Sequence, residues 1–301
     1  MTSPQHFRFL NEHVEETARR TPAILFSDSR HFWDDILEAC DRKEEHHAYW
    51  LFASRWVREA LVDVMNRGSL RALRGILHAL RPDLGEAPIP GSGRTLTLHG
   101  DKDNFYFRIA GGGELMNSRK HGSEDALGRL PCRRLKQRDS TRVLIGGLGM
   151  GFTLAAALNE LGPRAEVTVA ELIPEVVEWN RGPLGDCSGR PLDDPRTRVH
   201  VGDVAELLAS RPGSFDVIAL DVDNGPEGFT STTNDRLYST PGITATARAL
   251  RPGGILAYWS AGPDRAFPAR LSKCGLRVEE IFVRAHGEKG AKHVIWLANR
   301  E

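Results

Sequence analysis

The feature that most constrains this chain is an apolar run that breaks into alternating glycines. Residues 143–145 are strand-forming, and glycines follow at positions 147, 149 and 151. From Phe152 the sequence continues as an alanine- and leucine-rich stretch that favours a helix. Main-chain amides at the start of such a helix can approach a ligand closely. We therefore predict a nucleotide-binding turn formed by Gly147, Gly149 and Gly151.

The spacing of the glycines indicates which nucleotide this turn would bind. Dinucleotide-binding folds use G-x-G-x-x-G, in which the third glycine lets the helix pack on the strand. Here Phe152 stands at the third position, and the G-x-G-x-G spacing is the one usual in enzymes that use S-adenosylmethionine. The alternative is a tight strand-to-helix connection with no ligand.

Composition excludes several classes of function. Forty Lys and Arg balance forty Asp and Glu, so no overall charge favours nucleic acid or an anionic membrane. The four cysteines are far apart and form no metal or disulfide motif. No run is long and apolar enough to cross a bilayer, and no secretory signal is recognisable at Met1. These observations predict a soluble cytoplasmic protein that binds no metal.

The chain before the glycine turn divides into three parts. Residues 1–84 show apolar residues at helical intervals and are predicted to form a helical domain. Residues 85–93 are rich in proline and glycine and are predicted to be a linker. Residues 94–120 contain two alternating segments around a polar turn, which predicts a β-hairpin layer. A histidine- and glutamate-rich stretch near His46 and His47 is interpreted as a solvated helix face.

Residues 121–301 are predicted to form a Rossmann-like domain. Strand and helix patterns alternate with short connections, which calls for a mostly parallel sheet with helices on both faces. The last two strands, near 276–283 and 293–298, are too close in sequence for a crossover helix and should pair antiparallel. The fold class predicted is α/β, with a seven-stranded sheet of methyltransferase type after a β-hairpin layer and an N-terminal α-helical domain.

Acidic residues follow three successive strands of this sheet. In open α/β sheets, ligands bind beyond the carboxyl ends of the strands. Glu171 is placed to accept the ribose hydroxyls and Asp203 the adenine amino group, with Leu172 and Val204 beside them. Asp221 ends the next strand near the reacting group. Each carboxylate could instead cap the following helix.

Beyond Asp221 the run D-V-D-N-G-P places Asp223 and Asn224 at the point where group transfer would occur. A carboxylate there could accept a proton from the nucleophile and stabilise a sulfonium electrostatically. A capped turn with no catalytic role is the alternative.

Residues from about 94 to 299 resemble the spermidine synthase-like family. The segments that carry the resemblance are Gly146–Gly151, Ala170–Glu178, Asp194–Asp203, Phe215–Asp221, Leu237–Ser239 and Ala249–Gly254. The resemblance implies a β-hairpin layer before a methyltransferase-type domain, and a homodimer formed through that layer. It also implies that Asp221 is the proton acceptor and Glu124 an acid on the substrate side.

Three family features are altered in this chain: an aspartate that meets the amine of the cofactor, a pattern that holds the diamine, and a tyrosine-containing stretch. Gly149 replaces an aspartate of the glycine turn, the D-S-S/T-D pattern becomes 221–224 D-V-D-N, and no tyrosine precedes Glu124. We therefore predict an S-adenosyl-L-methionine-dependent methyltransferase that acts on a small molecule or peptide. The alternatives are aminopropyl or aminocarboxypropyl transfer, and a non-catalytic binding module.

Overall fold

The computed structural model describes residues 83–101, 104–110, 113–136, 139–222, 235–286 and 289–300. The chain divides into two units, Met1–Pro82 and Asp83–Glu301. The helical domain predicted for residues 1–84 lies almost entirely outside the described residues, so it stays a prediction.

A four-stranded antiparallel sheet begins the second unit. Its strands, in spatial order, are β1 (Asp83–Ile89), β2 (Arg94–Asp101), β3 (Asn104–Ile109) and β4 (Glu114–Asn117). The predicted hairpin corresponds to β2 and β3, which pair from Leu96–Ile109 to Asp101–Asn104. The layer is thus twice as large as the two-stranded hairpin predicted from the sequence.

The predicted linker at residues 85–93 is wrong, because β1 occupies most of it. Ala87 and Ile89 are buried and alternate with exposed neighbours, which is the pattern of a half-buried strand. Pro88 is tolerated because β1 is the edge strand, where a missing N–H costs no ladder hydrogen bond. Only Pro90 to Gly93 form the turn into β2.

The second sheet has seven strands, as predicted. These are β5 (Arg142–Gly146), β6 (Glu166–Glu171), β7 (Thr197–Val201), β8 (Phe215–Leu220), β9 (Leu250–Ser260), β10 (Leu276–His286) and β11 (Lys289–Arg300). Their spatial order is β10-β11-β9-β8-β5-β6-β7. Strands β5 to β9 are parallel, and β10 and β11 are antiparallel, so the predicted fold class is confirmed.

Seven helices are described around this sheet. They are α1 (Gly122–Arg133), α2 (Phe152–Glu160), α3 (Pro174–Arg181), α4 (Val204–Ser210), α5 (Asp235–Tyr238), α6 (Thr240–Ala249) and α7 (Phe267–Lys273). Across the described residues, no helix combines the length and the hydropathy needed to cross a bilayer.

Alternate residues of the central strands enter two separate hydrophobic clusters. In β5, Val143 and Ile145 join one cluster while Leu144 joins the other. Because successive side chains of a strand point to opposite faces, the sheet is covered on both sides. The chain reverses its winding between β5 and β8, which are neighbours in the sheet. A topological switch point of this kind opens a crevice at the carboxyl ends of the two strands.

Candidate functional site

The glycine turn lies at this switch point. Gly147 donates its main-chain N–H to the carbonyl oxygen of Ala170 at 2.8 Å, and Asp221 donates to Gly146 at 2.7 Å. The φ of Gly147 is +92°, and a Cβ atom there would lie 2.0 Å from the carbonyl oxygen of Asp221. Only glycine allows the ends of β5 and β8 to approach this closely.

The three glycines of the turn have different roles. Gly147 and Gly149 line the main cavity of the site, whereas Gly151 does not. Gly151 has a φ of +85° at the start of α2, and a Cβ there would meet Ser188 Oγ and Asn180 Oδ1. Gly151 therefore lies outside the cavity lining, because packing behind the turn occupies its free side, and its contact with the cofactor stays a prediction.

Glu171 fixes the turn from the end of β6. Its Oε2 accepts a hydrogen bond from Leu148 N and its Oε1 one from Ile173 N, both at 2.9 Å. Burial raises the pKa of this carboxyl, and the main-chain N–H donors oppose that effect. Glu171 and Leu172 also line the cavity, as predicted.

Asp203 performs the capping role that was its alternative. Its Oδ1 accepts from Ala205 N at 2.7 Å and caps α4, while Oδ2 pairs with Arg236 at 2.8 Å. Asp203 and Val204 nevertheless line the cavity. Capping and lining are compatible here, because a strand-end carboxylate reaches both the helix and the crevice.

Asp221 and Glu124 form an acidic pair on one side of the cavity. Asp221 Oδ2 accepts from the Thr153 hydroxyl at 2.9 Å, and Thr153 Oγ1 also lies 3.3 Å from the carbonyl oxygen of Glu124. Loss of hydration and the nearby carboxylates of Glu124 and Glu171 raise the pKa of Asp221 to about 7, although the Thr153 hydrogen bond lowers it. Asp221 is therefore poised to exchange a proton near neutral pH.

A second hydrogen-bond chain supports Glu124, which is 8% exposed. Ser123 Oγ donates to Glu124 Oε2 at 2.5 Å and lies 2.8 Å from Nδ1 of His293 on β11. Burial raises the pKa of Glu124, and the Ser123 hydroxyl lowers it. Burial lowers the pKa of His293, which favours the neutral imidazole.

The cavity encloses about 190 Å³ and brings together most of the predicted site. Its charged lining residues, within the described part of the chain, are Glu124, Glu171, Asp203 and Asp221, all of them acidic. The predicted residues Asp223 and Asn224 lie outside the described residues, so their roles stay predictions. No cluster that could hold a metal occurs among the residues described.

Sequence reasoning missed the apolar walls of the cavity. Many of the lining residues that it did not identify come from the four-stranded sheet and from β9; they include Ile89, Leu96, Phe107, Met116 and Trp259. The buried positions of β2 and β3 carried a signal in their alternation, but nothing in the sequence indicated which face adjoins the ligand. His293 gave no signal, because its partner Ser123 lies far away in the chain.

Comparison with known proteins shows which family this chain is similar to. Residues 126–263 match the Spermine/spermidine synthase domain. A polyamine aminopropyltransferase of Mycobacterium tuberculosis is 35% identical over 124 residues, which are 40% of this chain and 23% of that protein. The polyamine aminopropyltransferase of Korarchaeum cryptofilum is 29% identical over 128 residues, 42% of this chain and 38% of that protein. The chain thus spans less than half the length of these relatives.

The fold has a solved counterpart. A spermidine synthase in complex with the transition-state analogue AdoDATO superposes with a TM-score of 0.61, at 18% identity and with 74% of each chain covered. The resemblance to the spermidine synthase-like family is confirmed by these matches.

These matches correct two predictions from the sequence. The prediction of a methyltransferase is wrong, because the matched domain and relatives belong to aminopropyl transfer, which was the alternative. S-adenosyl-L-methionine as the cofactor is wrong for the same reason, since this family uses the decarboxylated compound as aminopropyl donor. The relatives that match are named as transferases, the class of enzyme that the sequence predicted for this chain.

Proposed function

Because residues 126–263 are spermidine synthase-like, we propose that the protein transfers an aminopropyl group from decarboxylated S-adenosylmethionine to an amine. The observation that carries this proposal is the uniform sign of charge in the cavity. The charged side chains that line it, among the described residues, are four carboxylates. The decarboxylated donor presents a sulfonium and an ammonium group, so both of its charges are attracted to this lining.

The same charge pattern disfavours the donor that retains its carboxylate. Two unit charges 4 Å apart interact by about 4 kcal/mol at an effective dielectric constant of about 20. A carboxylate placed near Glu124 or Asp221 would therefore be repelled by an amount that matters to binding. Burial is the main reason that the pKa of each side chain is raised, and nearby carboxylates add to it: Glu124 and Glu171 for Asp221, and Asp125 for Glu124.

The residues that line the cavity match the chemical groups of the proposed donor. Glu171 and Asp203 line the end of the cavity beyond β6 and β7, where adenosine binds in folds of this class. Gly149 leaves the glycine turn without its own carboxylate, so Asp221 and Glu124 are the acids that remain for the ammonium and sulfonium groups. This assignment of acids to the groups of the donor differs from the family pattern, in which the glycine turn supplies one of the acids.

The reaction is an in-line displacement. The lone pair of the acceptor nitrogen attacks the aminopropyl carbon bonded to sulfur, and that carbon–sulfur bond breaks with its electrons passing to sulfur. Methylthioadenosine leaves as a neutral thioether, and the nitrogen gives up one proton. Asp221 accepts this proton, because its pKa of about 7 allows the ionised form at neutral pH. Positioning supplies most of the rate.

Donor preference tests the proposal without knowledge of the acceptor. Calorimetry with the full chain should show tighter binding of decarboxylated S-adenosylmethionine than of S-adenosylmethionine. Mass spectrometry of reactions with 1,4-diaminobutane and related amines should detect methylthioadenosine. Tighter binding of S-adenosylmethionine, or release of S-adenosylhomocysteine from it, would overturn the proposal.

A variant of Asp221 provides a second test of the proposal. Asp221→Asn keeps the shape of the side chain but removes the base, so turnover should fall by roughly 10²–10⁴-fold. Glu206→Gln is the matched control, because Glu206 is an exposed acid on α4 that does not line the cavity. Turnover of this control should be unchanged.

A further inference from the structure

A second and larger cavity adjoins the first. It encloses about 900 Å³ and shares Leu115, Met116, Glu124 and Trp259 with the acidic cavity. Beyond this shared wall it is lined by three cations, Lys120, Arg265 and Arg270. The sequence analysis assigned no role to them. The second cavity is therefore lined by charges of both signs, three cations and the acids Glu114, Glu124 and Asp264, whereas the charged lining of the first is acidic.

The acids of the second cavity are already engaged with donors. Asp264 Oδ1 accepts from the main-chain N–H of Ala266 at 2.6 Å and of Phe267 at 2.8 Å. Glu114 Oε1 accepts from Asn117 Nδ2 at 2.5 Å, and Glu124 accepts from Ser123. Their negative charge is thus partly compensated within the protein.

The cations have local contacts too, but no carboxylate partner among the described residues. Arg270 is half-buried and donates to the carbonyl oxygen of Tyr238 at 2.8 Å, with its guanidinium 5.7 Å from the Phe267 ring centroid. No carboxylate of the described residues lies within ion-pair distance of Arg270. The same holds, in the described ranges, for the exposed side chains of Lys120 and Arg265. A half-buried cation without an anion is costly, and an anionic ligand would offset that cost.

Trp259 adds a donor at the shared wall. It is 9% exposed, and its indole Nε1–H is buried with no acceptor among the residues described. An indole N–H can only donate, so an oxygen of a ligand is the partner that would satisfy it.

We propose that the second cavity binds the carboxylate end of an amine acceptor, so that the substrate is an amino acid or another amine carrying a carboxylate. This inference rests on the proposed aminopropyl transfer and specifies its acceptor. The amine lies at the shared wall beside Glu124, and the carboxylate lies among Lys120, Arg265 and Arg270. A diamine would instead place its second positive charge among three cations.

Three amines that share one aminobutyl chain separate the possibilities. 5-Aminopentanoate ends in a carboxylate, pentylamine in a methyl group and 1,4-diaminobutane in an ammonium group. Calorimetry with the full chain saturated with methylthioadenosine should show 5-aminopentanoate binding about tenfold or more tightly than pentylamine, and 1,4-diaminobutane binding more weakly than either. Equal or weaker binding of 5-aminopentanoate, or no detectable binding, overturns the inference.

Neutral variants show whether the cations cause the preference. Arg270→Gln should reduce the affinity for 5-aminopentanoate about tenfold and leave pentylamine unchanged. Arg265→Gln and Lys120→Gln test the same point at exposed positions, where the fold does not depend on the side chain. Arg248→Gln is the matched control, an exposed arginine of α6 outside both cavities. If all three variants still bind 5-aminopentanoate more tightly than pentylamine by the original factor, the inference is overturned.

The two proposals fail in different ways. If methylthioadenosine forms with 1,4-diaminobutane while 5-aminopentanoate neither binds nor reacts, aminopropyl transfer stands and the carboxylate site is excluded. If S-adenosylmethionine binds more tightly than its decarboxylated form, aminopropyl transfer itself fails, whatever the amines do.

Discussion

Ser123 and His293 are separated by 170 residues, yet Ser123 Oγ lies 2.8 Å from His293 Nδ1. The Ser123 hydroxyl has one proton and donates it to Glu124, so the hydrogen-bond network assigns the ring proton of His293 to Nδ1. The lowered pKa of His293 agrees with this neutral form. The start of α1 and strand β11 thus hold one carboxylate of the acidic pair in place.

Removal of the Ser123 hydroxyl should change the pH dependence of the reaction. In Ser123→Ala the Glu124 carboxylate loses a donor that lowers its pKa, so that pKa rises further. An ascending limb of kcat/KM that reports this group should move to higher pH. Ser123→Thr, which retains a hydroxyl, should restore the original profile.

Ser210→Ala is a suitable control for this experiment. The Ser210 hydroxyl donates to Leu207 O on the exposed part of α4 and has no contact with the cavity. Its pH profile should match that of the unmodified protein. An unchanged profile in Ser123→Ala as well would show that the hydroxyl does not tune Glu124.

The central strands could be predicted from the sequence because burial on both faces leaves a continuous apolar pattern. Strand β5, for example, is buried from Val143 to Gly146. Strand β1 could not be predicted in this way. Its Gly85 and Pro88 are breakers in most strands, and only its place at the edge of a sheet makes them acceptable.

Within the site, residues next to a strand end could be predicted and residues joined only by tertiary contact could not. Glu171 is the last residue of β6 and Asp221 directly follows β8, so the rule for open α/β sheets identified them. Trp259 and His293 lie inside β9 and β11, where nothing local marks them as functional. Asp203 shows a further limit, because one carboxylate both caps a helix and lines the cavity.

The error about the transferred group has a physical explanation. Comparison of single motifs with the family pattern interpreted Gly149 and the altered 221–224 pattern as a loss of the acids that bind amines. The charge of the cavity depends instead on carboxylates from several elements, including Glu124 on α1 and Asp221 at the end of β8. The positions of a sequence motif account for only some of the carboxylates that set the charge of the cavity.

Gly147→Ala should destabilise the fold strongly. The new Cβ would lie 2.0 Å from the carbonyl oxygen of Asp221, and the φ of +92° is unfavourable for alanine. We expect a loss of about 3 kcal/mol or more in the free energy of unfolding, from steric overlap added to backbone strain. Urea denaturation measures this loss.

Gly213→Ala separates the two contributions. Gly213 also has a positive φ, +57°, but a Cβ there would meet no atom within 4 Å. The Gly213→Ala variant should lose about 1–2 kcal/mol in the free energy of unfolding, which is the cost of backbone strain alone. Equal losses in the two variants would contradict the close approach of the glycine turn to β8.

Asp221→Asn should stabilise the fold most at neutral and alkaline pH. The folded pKa of Asp221 is raised to about 7 from the ordinary 3.8 of an aspartate, so the folded state binds more protons than the unfolded state between these values. Stability contributed by the protonated carboxyl is therefore lost as pH rises through this interval. Since asparagine carries no charge, the variant should gain roughly 1–3 kcal/mol at pH 8 and little at pH 4.

Hydrogen exchange of β5 and β8 amides measures this stability within the relevant sheet. Glu206→Gln, at an exposed site on α4, should show no comparable pH dependence. A gain in Asp221→Asn that is the same at pH 4 and pH 8 would contradict the raised pKa.

Gly149→Asp should tighten binding of the decarboxylated donor. Gly149 lines the cavity with a φ of +52°, a conformation that aspartate and asparagine tolerate better than most residues. A Cβ there would lie 3.2 Å from Met116 Sδ and 3.3 Å from its Cε, and a flexible thioether side chain can move to make room. The added carboxylate would give the turn the acid that aminopropyl transferases of this family carry.

The expected gain in affinity is about tenfold for the decarboxylated donor, measured by calorimetry at low ionic strength. Gly149→Asn has a similar shape without the charge and should show no gain. S-adenosylmethionine, whose own carboxylate would be repelled, should bind more weakly to Gly149→Asp than to the unmodified protein. Tighter binding of both donors to both variants would mean that shape rather than charge governs the site, and the electrostatic basis of the proposed donor would be lost.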